Sequence, residues 1–357
     1  MSLVTRPPGR GTVAILLVVA CAWPTAGHAA SATPGATVEL PAPTAAERSN
    51  GLRREDREGP AVIGFGRDLD ALLGAPVGPR DFVWETTPGG GAVAAVVLVS
   101  PGASAIRAQL LLKSVPDDLE AGFYDPRDRE GPAQWVPADQ LAATPSPADG
   151  GYLYWSPTVT GERIGIELRI ASGGWGRVSV TIPRISHLVR TLDDPGRSSR
   201  SSCAQTDAVC RSDRISDTAR SSVAKYLFTT ASGQTSNCTG TLLNDRDLAT
   251  QIPYFLTADH CMELGAEVAS TEFHWFHEAP VCGDPSPPTT LQQGRGASLL
   301  AREGWYICTG DDPECPGSDM LLMRLHEKPP FGTGLAGWTT EPVALGDEVS
   351  AYTTPTA

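Results

Sequence analysis

Tyr254-Phe255-Leu256-Thr257-Ala258-Asp259-His260-Cys261 is the stretch on which the reading of the chain turns. Its apolar and β-branched start forms a short strand, and that strand delivers a histidine at its end with a cysteine behind it. Upstream, Cys238-Thr239-Gly240-Thr241-Leu242-Leu243 reads as another strand with a small-residue turn. The two cysteines lie 23 residues apart, so one disulfide can tie the two strands together. A histidine acting as general base must sit within hydrogen-bond reach of its nucleophile, and a bridge beside it fixes its backbone.

A base of this kind needs a carboxylate to orient it. Ser318-Asp319-Met320-Leu321-Leu322-Met323-Arg324-Leu325 offers one, with Asp319 opening an alternating apolar strand 59 residues beyond His260. Alone, Asp319 reads as a turn residue before a strand.

Together these segments resemble the trypsin-like serine peptidases. Thr257-Ala258-Asp259-His260-Cys261 resembles the catalytic-histidine motif, Cys-Thr-Gly-Thr-Leu the strand with its bridging partner, and Ser318–Leu325 the catalytic-aspartate motif. The resemblance implies a chymotrypsin-like double β-barrel, with His260 as general base and Asp319 as its orienting carboxylate. Asp259 departs from the pattern, which has a small residue there. A carboxylate next to the base either raises the pKa of that base or points to solvent.

The finer resemblance is to the lysyl-endopeptidase-like branch of secreted bacterial proteases. It rests on Cys203-Ala204-Gln205-Thr206-Asp207-Ala208-Val209-Cys210, on Phe273-His274-Trp275-Phe276 leading to Cys282, and on Leu335-Ala336-Gly337-Trp338. It implies that Cys238 pairs with Cys261 and Cys210 with Cys282. Cys203 would pair with a cysteine that residues 1–357 do not contain, and Cys308 and Cys315, seven apart, would close a local loop. The family's nucleophile is a serine in a Gly-Asp-Ser-Gly context, whose backbone N–H groups form the oxyanion hole. No such segment occurs in the 357 residues. The chain is therefore expected to be a fragment that stops before its nucleophile.

The remainder of the sequence supplies the setting. Arg6 and Arg10, the apolar run Val13 to Trp23 and the small residues from Ala26 to Ala30 read as a signal peptide over 1–30, cleaved after Ala29 or Ala32. Val18-Val19-Ala20-Cys21 resembles a bacterial lipoprotein box, which offers lipidation at Cys21 as an alternative. The apolar run is too short to span a bilayer, and no later segment crosses a membrane. Export implies an oxidising compartment and bridged cysteines. All seven cysteines after Cys21 lie beyond residue 200, which suggests two domains of different origin.

Residues 31–60, rich in Ala, Pro, Thr, Arg and Glu, read as a disordered linker. From 61 to 189, short β-prone runs at Ala92–Ser100, Ile106–Val115, Gly151–Ser156, Ile164–Ile170 and Arg177–Ile182 suggest a β-sandwich pro-region. Arg163–Ile170 alternates polar and apolar residues, as a half-buried strand does. Residues 190–202 form a polar hinge that is read as a processing site, and 203–357 as the N-terminal part of the protease domain.

The fold expected is all-β: a β-sandwich-like pro-region followed by a partial double β-barrel. The 37 glycines and 31 prolines suit such turn-rich β structure. The formal charge of −13 argues against a nucleic-acid partner and keeps a secreted protein soluble. His274, His277 and Glu278 lack the His-Glu-x-x-His order of a zinc site and, on a strand, the two histidines face opposite sides. Asp311, Asp312 and Glu314 read as a solvated loop rather than a calcium site. Asn237-Cys238-Thr239 fits a glycosylation sequon left inert by bacterial export.

The function expected is that of a secreted, monomeric serine endopeptidase zymogen acting on protein and peptide substrates, with no metal or organic cofactor. The alternative is a secreted β-rich binding or adhesion protein with an inactive protease-like domain. Purified 1–357 protein is expected to leave a fluorophosphonate probe unreacted; covalent labelling of any of its serines would overturn the reading that the nucleophile is missing.

Overall fold

A computed structural model of the chain describes residues 32–52, 59–128, 131, 133–146, 149–171, 174–192, 208–213, 215–247, 250–262, 265–284, 290–294, 296–304 and 319–339. The readings placed on the signal segment, Cys21, Cys203, Cys308, Cys315 and the acidic residues between the last two fall outside the described residues.

Strands carry the architecture. One sheet comprises β1 (Pro34–Glu39), β3 (Glu85–Thr86), β4 (Ala92–Val99), β6 (Leu119–Tyr124), β7 (Gln134–Pro137) and β11 (Arg163–Ile170). Its order is β1-β4-β11-β6-β7, with β3 beside β4. The other comprises β2 (Ala61–Asp68), β5 (Ala105–Ser114), β8 (Pro145–Ser146), β9 (Gly151–Trp155), β10 (Val159–Thr160), β12 (Ser179–Leu188) and β13 (Val223–Thr229). It continues through β14 (Thr235–Leu243), β15 (Tyr254–Thr257), β16 (Glu272–Trp275), β17 (Leu291–Gln293), β18 (Ala297–Glu303) and β19 (Met320–Leu325). Its order runs β17-β16-β13-β14-β2-β12-β5-β9-β8, and β15, β19 and β18 branch from β14.

In the N-terminal half the two sheets enclose one apolar core, with Leu98, Ile106, Leu110, Phe123, Ile166 and Ile185 all buried. Strand β4, Ala-Val-Ala-Ala-Val-Val-Leu-Val, is buried along its whole length. An unbroken apolar run of this kind suits a strand covered on both faces.

Three local expectations change. Residues 34–51 are ordered structure rather than linker: β1 pairs in parallel with β4, and Ala45–Gly51 is a helix opened by a capping box. There the Glu47 N–H donates to Thr44 Oγ1 at 3.1 Å, and the Thr44 N–H donates to the Glu47 carboxylate at 2.7 Å. Composition hides these elements because β1 turns alternate residues outward at the sheet edge and the helix buries none of its residues. Arg163–Ile170 is not half-buried. It lies between β4 and β6 with both faces covered, and its charged Glu167 is buried by accepting hydrogen bonds from Ala32 N–H at 2.9 Å and Arg169 Nε at 2.7 Å. Strand β12 runs on through Pro183 to Leu188, with a slip in its register against β5 between Thr181 and Arg184.

In the C-terminal half, β16, β13, β14, β15, β19 and β18 pair antiparallel in that order and curl around an aromatic core. The Phe255 ring meets Phe273 at 5.0 Å and 68°, and Trp275 at 6.0 Å and 90°, both edge-to-face. Gly240 permits this packing, because a Cβ there would collide with the Phe255 ring and the Leu256 carbonyl.

The halves join through a strand ladder whose register slips by one residue between Thr235 and Ser236. The start of β14 pairs with β2, Thr235 opposite Gly64 and Asn237 opposite Ala61, while its end pairs with β15. Asn237 of the sequon is buried in this join. Beside the ladder, wholly buried Arg107 donates to Ser156 O at 2.9 Å, Thr229 Oγ1 at 2.7 Å and Ser270 O at 2.7 Å. Glu272 accepts from Thr158 N–H at 2.6 Å, Gln292 Nε2 at 2.9 Å and His274 Nε2 at 2.7 Å. Burial alone would raise the Glu272 pKa. The hydrogen bond and charge of His274, the Arg107 charge and the Thr158 N–H overcome that and hold it down to about 2, from an ordinary 4.5.

Gly240→Ala should cost about 1–3 kcal/mol of stability, read as a lower urea midpoint, because the added methyl overpacks the core. Glu272 gives a pH signature. Its folded pKa lies below the unfolded one, so its contribution is complete above the unfolded value and is lost as pH falls from about 5 to about 2. Urea midpoints measured across that window should fall less steeply for Glu272→Gln than for the parent; equal slopes would refute the assignment.

Candidate active site

Strand β15 leads into the site. Thr257 at its end is fixed from two sides: Tyr226 Oη lies 2.9 Å from Thr257 Oγ1, which donates to Thr239 O at 2.8 Å. Because the Thr257 hydroxyl gives its proton to Thr239 O, the Tyr226 phenol, whose pKa burial pushes up, is the donor of the pair. The chain then makes a three-residue 3₁₀ turn, Asp259–Cys261.

That turn is clasped by Asp319. The His260 N–H donates to Asp319 Oδ1 at 2.9 Å, and His260 Nδ1 lies 2.7 Å from Asp319 Oδ2. The Asp259 N–H donates to the Asp319 carbonyl at 3.2 Å. Two residues 59 apart in sequence meet because β15 and β19 are neighbouring antiparallel strands, with Thr257 opposite Leu321. Asp319 itself has φ +48°, a left-handed conformation that aspartate tolerates better than most residues. The side chains of His260 and Asp319 retain 31% and 26% exposure, so the pair sits at the surface end of the curled sheet rather than deep in it.

Asp259 neither faces solvent nor stands unpaired beside His260. Its side chain is 4% exposed and takes a two-pronged grip from Arg302 on β18: Nε to Oδ1 at 2.7 Å and Nη2 to Oδ2 at 2.8 Å. Arg302 and Tyr226 are the site residues that sequence reasoning missed. An acidic residue inside an apolar segment was the available signal for Arg302, since a buried carboxylate demands a cation.

Cys238 and Cys261 are bridged, with Cα atoms 6.3 Å apart, and the bridge joins β14 to the turn that carries His260. Cys210 and Cys282 are bridged as well, with Cα atoms 4.7 Å apart. Among the described residues, the one group with metal-ligand proximity is Cys238, His260 and Cys261, within 4.8 Å of one another. Its two sulfurs are bonded to each other and offer no thiolate. His274 is engaged with Glu272 on β16. His277 lies past the end of that strand, where burial, reinforced by the charges of Lys225 and His274, pushes its pKa down to about 3.

The family model described as "Lysyl endopeptidase, C-terminal domain" matches residues 198–356, and the one described as "Lysyl endopeptidase N-terminal domain" matches residues 39–189. The chain belongs to the lysyl endopeptidase family. The lysyl endopeptidase of Pseudomonas aeruginosa is 29% identical over 366 aligned residues, which cover 95% of this chain and 72% of that protein. Membership makes this chain a peptidase, and the His260–Asp319 pair lies in the segment matched by the C-terminal model. The sandwich lies in the segment matched by the N-terminal one. Among the described residues no helix is long and apolar enough to cross a membrane.

Proposed function

We propose that the protein is a secreted serine endopeptidase made as a precursor: signal peptide 1–30, pro-region to residue 189, processing hinge 190–202, and protease domain from residue 203. The pro-region takes in β1 and the helix that follows it. The observation that carries the proposal is the 2.7 Å approach of His260 Nδ1 to Asp319 Oδ2, with the second carboxylate oxygen held by the His260 N–H.

The chemistry follows from that geometry. Ionised Asp319 takes the proton-bearing Nδ1 of His260, which leaves the Nε2 lone pair as the basic position. Nε2 then draws the proton from a serine hydroxyl as that oxygen attacks a peptide carbonyl, and returns it to the departing amine. An acyl-enzyme results, which water hydrolyses by the same route in reverse. The imidazolium formed at each step is stabilised by Asp319. The Cys238–Cys261 bridge and the Thr257 hydroxyl contacts hold the imidazole's backbone while its proton moves. Cleavage beside lysine is proposed from the name of the Pseudomonas aeruginosa relative. The substrates are proteins and peptides outside the cell.

The test is made on the enzyme expressed from its whole reading frame, with a lysyl ester or peptide substrate. His260→Ala should lower kcat by about 10⁵–10⁶-fold while leaving folding and secretion intact. Asp319→Asn should lower it by about 10⁴-fold, because the amide favours the wrong tautomer. Turnover near the parent level in either variant would refute the proposed roles.

A further inference from the structure

We propose that Arg302 is a positioning residue for the catalytic base, acting through Asp259. This rests on the reading of His260 and Asp319 as base and orienting carboxylate. The geometry behind it is a turn with two prongs. Consecutive residues of the 3₁₀ turn reach opposite strands of one hairpin: Asp259 grips Arg302 near the end of β18, and His260 grips Asp319, the residue before β19 begins. In the ladder between those strands Arg302 stands opposite Leu321, two residues beyond Asp319.

Physical chemistry makes the first prong necessary to the second. A carboxylate buried to 4% exposure cannot remain charged without a partner, and Arg302 gives it a fork of two short hydrogen bonds with fixed direction. Deprived of that partner, Asp259 must swing toward water or take up a proton. Either change acts on the peptide bond it shares with His260, and on its own N–H, which donates to the Asp319 carbonyl. Asp319 has no regular strand pairing of its own and sits in the left-handed region. Its place therefore depends on its contacts with the turn and on the last rungs of the hairpin. Arg302 sets the angle at which His260 and Asp319 meet, and Asp259 is the lever through which it does so.

The test separates positioning from general stability. In the complete enzyme, Arg302→Ala should lower kcat about 10–100-fold with KM unchanged within about twofold, since misplacement of a catalytic group by a fraction of its contact distance has that effect. Arg302→Lys restores the charge without the fork and should fall between the alanine variant and the parent. In the 1–357 protein, the strongly downfield proton of the His260–Asp319 hydrogen bond, followed by NMR, should shift or broaden in Arg302→Ala and recover in part in Arg302→Lys. Should the alanine variant fail to fold, the lysine variant and the doubly neutral Asp259→Asn/Arg302→Gln protein carry the same measurements. A folded variant without the fork that keeps parental kcat and an unmoved downfield proton overturns the proposal. His260→Ala runs in parallel: if it is inactive while Arg302→Ala is normal, only the role of Arg302 falls, and if it is itself active, the peptidase reading of the pair falls.

Discussion

Strand β14 has one edge that serves two partners, and the rest of the molecule is arranged around that division. Its first residues bond to β2 of the N-terminal half, its last to β15 of the curled sheet, and Cys238 lies just beyond the stretch bonded to β2. Because side chains alternate along a strand, sliding β14 by one residue would carry every one of them to the opposite face. The sandwich, the aromatic core and the bridge to Cys261 therefore all depend on the placement of β14. The bridge then anchors the end of the His260 turn, and the pairing of β15 with β19 brings Asp319 to it.

His260 is held by connections of different kinds: a covalent bridge behind it, a hydroxyl relay before it, and two carboxylates on either side of one peptide bond. The carboxylates have separate tasks. Asp319 faces the imidazole, and Asp259 faces away to a guanidinium. Keeping the second charge paired elsewhere leaves a single acid to speak to the ring.

What the sequence disclosed follows from how local each signal is. The strand before His260, the apolar run at β4 and the opening of β19 are written in adjacent residues and could be read directly. The meeting of His260 and Asp319 was legible only through resemblance, since nothing in either segment alone specifies the other. Residues 34–51 escaped because an edge strand with one outward face and a helix that buries nothing have the composition of a linker. The alternation in Arg163–Ile170 misled because Glu167 is buried by partners distant in sequence, Ala32 among them. The join between β2 and β14 left no trace, for strand partners more than a hundred residues apart are chosen by the whole fold. Asp259 was noticed as out of place, but its partner 43 residues on could not be named.

Glu272 belongs to the C-terminal half, yet part of what keeps it charged there comes from the N-terminal half: the Thr158 amide and the Arg107 guanidinium. Those groups take the place that water would hold around an exposed carboxylate. One half of the chain is in this sense a solvent for the other, a fixed and oriented medium rather than a mobile one. Arg107 is in turn accommodated by Thr229 and Ser270 of the C-terminal half, so the service is mutual. Parting the halves means transferring two ions between media, a step in which neither can be half-solvated for long, and the boundary between them is therefore set to open as a unit rather than to peel.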